Sequence, residues 1–211
     1  MSKGDQVYSP AEDSFLLLRA ALREVRPDDR VLEVGTGSGY IAAGLRLSTW
    51  SLARRPKTGS GYIAAGLLGR AARVVATDIN PHAAASACAR GVEVVRTDLA
   101  AGISGPFDLI LFNPPYLPTA PEERIDDWLE CALDGGPTGR AVIERFIADA
   151  GRVLAPSGRI LLLISSLTGP DEVREAFTRH GFVSFIVDEE KLDGETLYVL
   201  RAMRDLCRMG F

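Results

Sequence analysis

Residues 30–40 read RVLEVGTGSGY. Val31, Leu32 and Val34 have the apolar, partly β-branched character of a buried strand, and Gly35, Gly37 and Gly39 follow at once. A strand that breaks into glycines and then resumes as a helix is the start of a βα unit. The glycines let the backbone reach positive φ and come close to a ligand, and the next helix offers free N–H groups to an anionic group. Taken alone, a GxGxG turn can also be a plain tight connection between strand and helix.

A ligand-binding turn of this kind calls for an acidic residue about 20 positions further on. Asp78 stands in Ala76-Thr77-Asp78-Ile79-Asn80-Pro81, but an internal repeat complicates the spacing. TGSGYIAAGL occurs at 36–45 and again at 58–67, ten identical residues at a 22-residue offset. Two copies with no further self-similarity do not make a solenoid. They point to a segmental duplication or an inserted stretch, a 36–57 unit with the repeat restarting at 58. The first copy follows its strand directly, but Gly37 stands 41 residues before Asp78; Gly59 of the second copy stands 19 before it. The first copy is the expected working loop. It places the surplus residues at the far end of the following helix, where insertions are tolerated, and not between strand and turn. The alternatives are the second copy as the working loop and a pocket in which neither copy seats.

Outward from this turn the chain alternates. Ser9-Pro10-Ala11-Glu12 reads as a capping box with proline at the first helical position, opening a helix whose face is marked by Phe15, Leu18, Leu22 and Val25 and which ends at Pro27-Asp28-Asp29. Strands are expected at Arg30–Val34, Arg73–Thr77, Val92–Arg96, Phe107–Phe112, Arg159–Ile164, Phe182–Asp188 and Thr196–Arg201. A helix with Ile143, Ile147, Ala150 and Leu154 precedes the fifth, separated from it by Pro156-Ser157-Gly158, and another spans Asp171–Arg179. Strands alternating with helices give a parallel sheet covered on both faces. The short Glu-Glu-Lys-Leu-Asp-Gly link before Thr196 forces the last two strands antiparallel. The expectation is one α/β domain over residues 1–211, a seven-stranded, doubly wound, mostly parallel sheet with an antiparallel last strand.

Three groups at strand ends carry chemistry. Asp78 ends the second strand, where a carboxylate can accept both hydroxyls of a ribose; a helix cap before Pro81 is the other role open to it. Asp98 ends the third strand and could accept from an adenine amino group, with the Leu99 N–H available to a ring nitrogen; a solvated loop aspartate is the alternative. Asn113-Pro114-Pro115-Tyr116 ends the fourth and is the most specific feature. An amide nitrogen is a poor nucleophile because its lone pair is delocalised. The Asn113 side-chain oxygen and the Pro114 carbonyl are natural acceptors for its two N–H bonds, the prolines stiffen the loop, and Tyr116 can stack on the planar group. No strong base is needed before transfer, because the proton can leave once the nitrogen is cationic. His82 and His180, the two histidines, stand near a helix start and a helix end and read as capping or surface residues.

Composition narrows the setting. A hydrophobic fraction of 46% and a charged fraction of 25% are ordinary for a globular chain of 211 residues. The net charge of -4 argues against stable nucleic-acid binding through bulk electrostatics. Cys88, Cys131 and Cys207 lack metal-ligand spacing, so neither a zinc site nor a disulfide framework is expected. With no apolar signal core and no run of membrane-spanning length, a cytoplasmic protein away from membranes is expected.

Over nearly its whole length the chain resembles the HemK family of glutamine methyltransferases. The resemblance rests on Tyr8-Ser9-Pro10-Ala11-Glu12-Asp13-Ser14, VLEVGTGSG, TDINP, Asp98-Leu99, NPPY, Ala132-Leu133-Asp134-Gly135-Gly136 and Ser165-Ser166-Leu167. It is most similar to the short archaeal and eukaryotic-type branch. The resemblance implies a Rossmann-like class I fold, S-adenosylmethionine as cofactor, and methylation of the glutamine in a Gly-Gly-Gln motif of a peptide chain release factor. Carried over by position, the cofactor would touch Ser14, Glu33, Gly35, Asp78, Asp98 and Leu99, beside the turn glycines Gly37 and Gly39, and would meet the substrate at Asn113. Relatives carry threonine more often where Ser14 stands; serine keeps the hydroxyl. The resemblance also implies a small zinc-binding activator that adds a strand beside Val92-Glu93-Val94-Val95. The duplication departs from the family pattern near that edge and near the pocket.

Other functions stay open at this level. An adenine or cytosine amino group, or a small metabolite, suits NPPY as well as a glutamine does. A scaffold whose pocket the duplication has disrupted would keep the fold without the activity. An NAD-dependent oxidoreductase would leave NPPY without a role.

Overall fold

The computed structural model describes residues 11–37, 67, 69–119, 128 and 132–207. Helix α1 (Glu12–Glu24) carries Glu12 and Asp13 in its first turn and Arg23 in its last, charges that suit the helix dipole. Ala11 holds the N-cap position and no side chain caps the helix. Ser9 and Pro10, on which the expected capping box rested, lie outside the described residues. The helix stops at Glu24, where Val25 turns extended ahead of Arg26-Pro27, a pair that disfavours helical backbone. Its buried face also differs from the expected stripe. Leu16, Leu17, Ala20 and Ala21 are fully buried with Leu18, whereas Phe15, Leu22 and Val25 pack only partly. The alanines let α1 lie close on the sheet, and Asp13 and Ser14 share that inward face.

Strands β1 (Arg30–Val34), β2 (Arg73–Asp78), β3 (Glu93–Arg96), β4 (Phe107–Phe112), β5 (Leu154–Ser165), β6 (Phe182–Lys191) and β7 (Thr196–Arg204) form one sheet in the order β3-β2-β1-β4-β5-β7-β6. The pairings from β3 to β5 are parallel, and β7 runs antiparallel to both β5 and β6. The seven expected strands and the antiparallel last strand are all present. Helices α2 (Pro81–Ala89), α3 (Ala141–Val153) and α4 (Pro170–Arg179) complete the described elements. Helices α1 and α2 share one apolar layer with Val31, Leu109, Leu111, Leu161 and Val199. Helices α3 and α4 share the other with Leu32, Ile110, Phe112, Leu162 and Leu200. Neighbouring strand residues therefore face opposite helical layers, as a doubly wound sheet requires.

Strand β5 begins five residues earlier than expected. Leu154, placed by its spacing on the α3 stripe, is instead the first residue of the strand and pairs with Phe107. Pro156-Ser157-Gly158 lies within β5 as an irregularity, since the register passes from Phe107↔Leu154 to Leu109↔Arg159. The proline and serine are exposed there, where a missing backbone donor costs little.

Two ionic clusters fix α1 over the second half of the sheet. Arg19 grips Asp188 of β6 at 3.0 and 3.1 Å, and Arg23 reaches the same carboxylate at 3.0 Å. Deeper in, the Arg159 guanidinium of β5 meets Asp29 at 2.6 Å and Glu24 at 3.4 Å, and donates to the Asp108 carbonyl at 3.0 Å. The Arg159 and Asp29 side chains are each only 6% exposed. Losing one partner of such a pair leaves an uncompensated buried charge. Arg159→Met is expected to lower unfolding free energy by about 3–5 kcal/mol, read from urea denaturation midpoints at constant slope. Arg174→Met, which removes an exposed pair with Asp171, is expected to change it by less than about 1 kcal/mol.

Candidate active site

The carboxyl ends of β2, β1 and β4 lie side by side, the place where open α/β sheets bind ligands. The turn after β1 is built for close approach. Gly35 has φ +63°, and a Cβ there would stand 3.3 Å from the Phe112 ring. Thr36 extends the pairing beyond the strand, donating its N–H to the Thr77 carbonyl at 2.8 Å and its hydroxyl to Glu33 at 2.7 Å. Gly37 donates its N–H to Asp78 Oδ2 at 2.7 Å. The start of the first glycine copy therefore lies against the acidic residue that ends β2. Gly39 lies outside the described residues, as does the second copy except Leu67, which is buried.

Asp78 is buried, and its Oδ1 accepts from the Asn80 N–H at 2.8 Å. Asn80 caps α2, accepting from the His82 N–H at 2.9 Å ahead of Pro81. The capping role considered for Asp78 thus belongs to its neighbour. Burial pushes the Asp78 carboxyl up to about 6, against the opposing pull of the Asn80, Gly37 and Ile79 N–H groups. A buried carboxylate with a raised pKa at strand ends is a feature common at functional sites. Beyond β3, the exposed Asp98 carboxylate pairs with Arg145 of α3. Leu99 beside it has φ +49°, a strained setting for a residue with a side chain.

Asn113 follows β4 directly. Its Nδ2 donates to Asp13 Oδ2 of α1 at 3.1 Å, and its Oδ1 is buried with no hydrogen-bond partner. Asp13 Oδ1 in turn accepts from the N–H and the hydroxyl of Ser14, the latter at 3.1 Å. Pro114 is buried; Pro115 and Tyr116 are half-buried. The loop is held from behind by the segment that follows residue 131. Leu117 donates to the Leu133 carbonyl at 3.2 Å and accepts from the Gly135 N–H at 2.9 Å, and Thr119 donates to the Gly136 carbonyl at 3.1 Å. Gly139, at φ +69°, lies so close to the Tyr116 carbonyl that no Cβ fits. Burial, then the charges of Asp13, Glu195 and Glu12, push the Tyr116 phenol well above its ordinary range. Glu195 is itself held by the Ser165 hydroxyl, which also accepts from the Leu167 N–H at 3.1 Å.

Comparison with known proteins decides the family. The chain is 38% identical over 205 residues to a Methanocaldococcus jannaschii protein provisionally named a protein N5-glutamine methyltransferase, covering 94% of this chain and 92% of that one. It is 36% identical over 208 residues to methyltransferase HEMK2 of Mus musculus, covering 92% and 88%. It superposes on a chain of the E. cuniculi Mtq2–Trm112 complex with a TM-score of 0.70 and 32% identity, over 94% of this chain and 99% of that one. No family model matches the chain.

The chain belongs to the HemK family of glutamine methyltransferases. It is an S-adenosylmethionine-dependent enzyme with the Rossmann-like class I fold. The described residues of this HemK-type site fit such a cofactor. Asp78 Oδ2 accepts from the Gly37 N–H and Oδ1 from the Asn80 N–H, with the Ile79 N–H also drawn to the carboxylate, and the remaining acceptor capacity suits a hydroxyl. Sequence reading missed two participants, Asp13 and Arg145. Asp13 stood within the segment that carries the family resemblance but was given no role of its own, and Arg145 was one of several charges on the outer face of α3.

Asp78 offers a direct test. Its folded value near 6 stands above the ordinary 3.8, so the fold favours the protonated form. The resulting cost is absent below about pH 4, grows as pH rises towards 6, and is complete above it, on the order of 3 kcal/mol. Carbon-detected titration is expected to place the Asp78 midpoint near 6, and Asp78→Asn to flatten that segment of the pH–stability curve.

Proposed function

We propose that this enzyme methylates the side-chain amide nitrogen of the glutamine in a Gly-Gly-Gln motif of a peptide chain release factor. The observation that carries the reading is the buried, unpartnered Asn113 Oδ1 at the end of β4. A buried acceptor left unsatisfied is costly, and an incoming primary amide offers two N–H bonds. Asn113 Oδ1 takes one and the Pro114 carbonyl the other, so the nitrogen is held with its π face open. When bound, S-adenosylmethionine supplies a methyl group activated on a positively charged sulfur. The glutamine nitrogen would take that methyl with its own electron pair as the sulfur–carbon bond breaks and the sulfur leaves as a neutral thioether, and the cationic nitrogen would then release one proton to water. Tyr116 stacks on the amide plane with Pro115 stiffening the loop. The substrate also agrees with the relatives: the E. cuniculi complex is responsible for methylation of the eRF1 termination factor.

For the cofactor, Asp78 holds the ribose hydroxyls. The turn that opens at Gly35 brings the backbone close to the methionine end beside Glu33 and Ser14, with the Gly37 N–H bracing Asp78, and Asp98 with the Leu99 N–H reads the adenine. The outer edge of β3 is the docking edge for a small zinc-binding activator; among the described residues β3 pairs only with β2. A cytoplasmic setting agrees with the free Cys88 and Cys207, and no described helix is long and apolar enough to cross a membrane.

Labelled methyl is expected on the glutamine of intact release factor and absent when that glutamine is replaced by glutamate. Asn113→Ala is expected to lower kcat on the order of 10²–10³-fold with cofactor affinity retained. Transfer to nucleic acid or a small molecule, with none to release factor, would overturn the reading. Cofactor affinity is expected to fall as pH drops through about 6, because protonated Asp78 surrenders acceptor capacity. Asp78→Asn is expected to bind roughly 10–100-fold more weakly, without that pH dependence.

A further inference from the structure

We propose that Asp13 is a positioning residue for methyl transfer, acting through Asn113; the idea rests on the amide-methylating reading above. Asp13 is 4% exposed, and its two oxygens face different partners. Oδ1 accepts from the Ser14 N–H and hydroxyl, and Oδ2 accepts from Asn113 Nδ2 at 3.1 Å. An asparagine amide has two orientations related by a half-turn. In the alternative, Asn113 Oδ1 would face a carboxylate oxygen, two acceptors with no proton between them. Asp13 therefore dictates which end of the amide points away from α1, and that end is the unpartnered oxygen. A charge-assisted bond to Nδ2 also polarises the amide and strengthens Oδ1 as an acceptor.

The carboxylate acts a second way. Asp13, Glu195 and Glu12 all set a negative potential at Tyr116, three residues beyond Asn113. The substrate nitrogen becomes positive as it is methylated, and a fixed negative potential beside it favours that change. The clamp of Arg19 and Arg23 on Asp188 keeps the helix that carries Asp13 in place.

An isosteric variant separates this role from a helix-stabilising one. Asparagine at position 13 has one acceptor and one donor end. With its oxygen retained by the two Ser14 donors, its NH2 would face Asn113 and turn that amide round, presenting NH2 to the substrate. Asp13→Asn and Asp13→Ala are both expected to lower kcat on a Gly-Gly-Gln peptide roughly 10–100-fold, with KM and cofactor affinity changed less than about twofold. On an Asn113→Ala background, either is expected to cost less than about threefold more. Near wild-type turnover of Asp13→Asn, or full additivity with Asn113→Ala, would sink the proposal. A substrate-free readout comes from the Asn113 side-chain NH2 resonances, identified by their loss in Asn113→Ala. They are expected to be protected from exchange in the wild type and to shift in Asp13→Asn; unchanged resonances would overturn the contact. If the wild type leaves release factor unmethylated, the substrate assignment fails while these resonances still decide whether Asp13 orients Asn113.

Discussion

Parallel pairing of β1 with β2 on one side and β4 on the other sets where every functional group stands. Glu33 lies opposite Ala76 and Val34 opposite Phe112, so Gly35, Asp78 and Asn113 emerge from adjacent strand ends at nearly one level. That register is held by side-chain parity. A one-residue slip of β4 would exchange Leu109 and Leu111 with Ile110 and Phe112 between the two apolar layers. The same parity places Phe112 under Gly35, where the ring leaves no room for a Cβ. Packing and the geometry of the candidate site are therefore one constraint: the residues that lock the sheet also define the floor of the glycine turn.

Charge is distributed along this row with a consistent sense. Asp78 is buried at the end of β2, and Asp13, Glu12 and Glu195 set the potential at the NPPY loop. A cationic methyl donor and a nitrogen that turns cationic both gain from such a field, which is strongest where water is excluded. The field also excludes one mechanism. Tyr116 is held in its neutral phenol form and cannot serve as a base near neutral pH. The histidines do not supply one either. His180 ends α4 with its ring Nδ1 2.9 Å from the Ala176 carbonyl, and His82 is exposed in the first turn of α2. Among the described residues neither Tyr116 nor a histidine offers a base, which agrees with proton loss after transfer.

Most of the sheet was legible in the chain because its signals are local. Runs such as Phe107–Phe112 and Arg30–Val34 declare themselves, and the NPPY, Asp78 and Asp98-Leu99 groups stand at strand ends that turn chemistry marks. What escaped depends on tertiary partners. Leu154 has helical spacing relative to Ile147 and Ala150, but its pairing with Phe107 outweighs that pattern and makes it a strand residue. The α1 face shifted towards Leu17 and Ala21 because close packing on the sheet favours small residues over Phe15 and Leu22. Asp13 lies 100 positions from Asn113, and Arg145 lies 47 from Asp98; neither spacing carries any local signal.

The duplicated segment shows how far loop length and fold are separable. In this chain 38 residues lie between Val34 and Arg73, against 16 without the 22-residue unit. Closing the longer connection costs about 0.8 kcal/mol more by the logarithmic dependence of loop entropy on length. The β1–β2 pairing across that connection joins four residue pairs and buries Val31, Leu32, Val75 and Ala76. Burying one such side chain contributes about 1.5–3 kcal/mol, so the pairing outweighs the added entropy several-fold. The same arithmetic protects the start of the pocket. Thr36 and Gly37 are anchored to Thr77 and Asp78, and these bonds are made before the chain reaches any repeated surplus. An insertion beyond Gly37 lengthens the path between two fixed points, whereas one between Val34 and Thr36 would have displaced the anchors themselves.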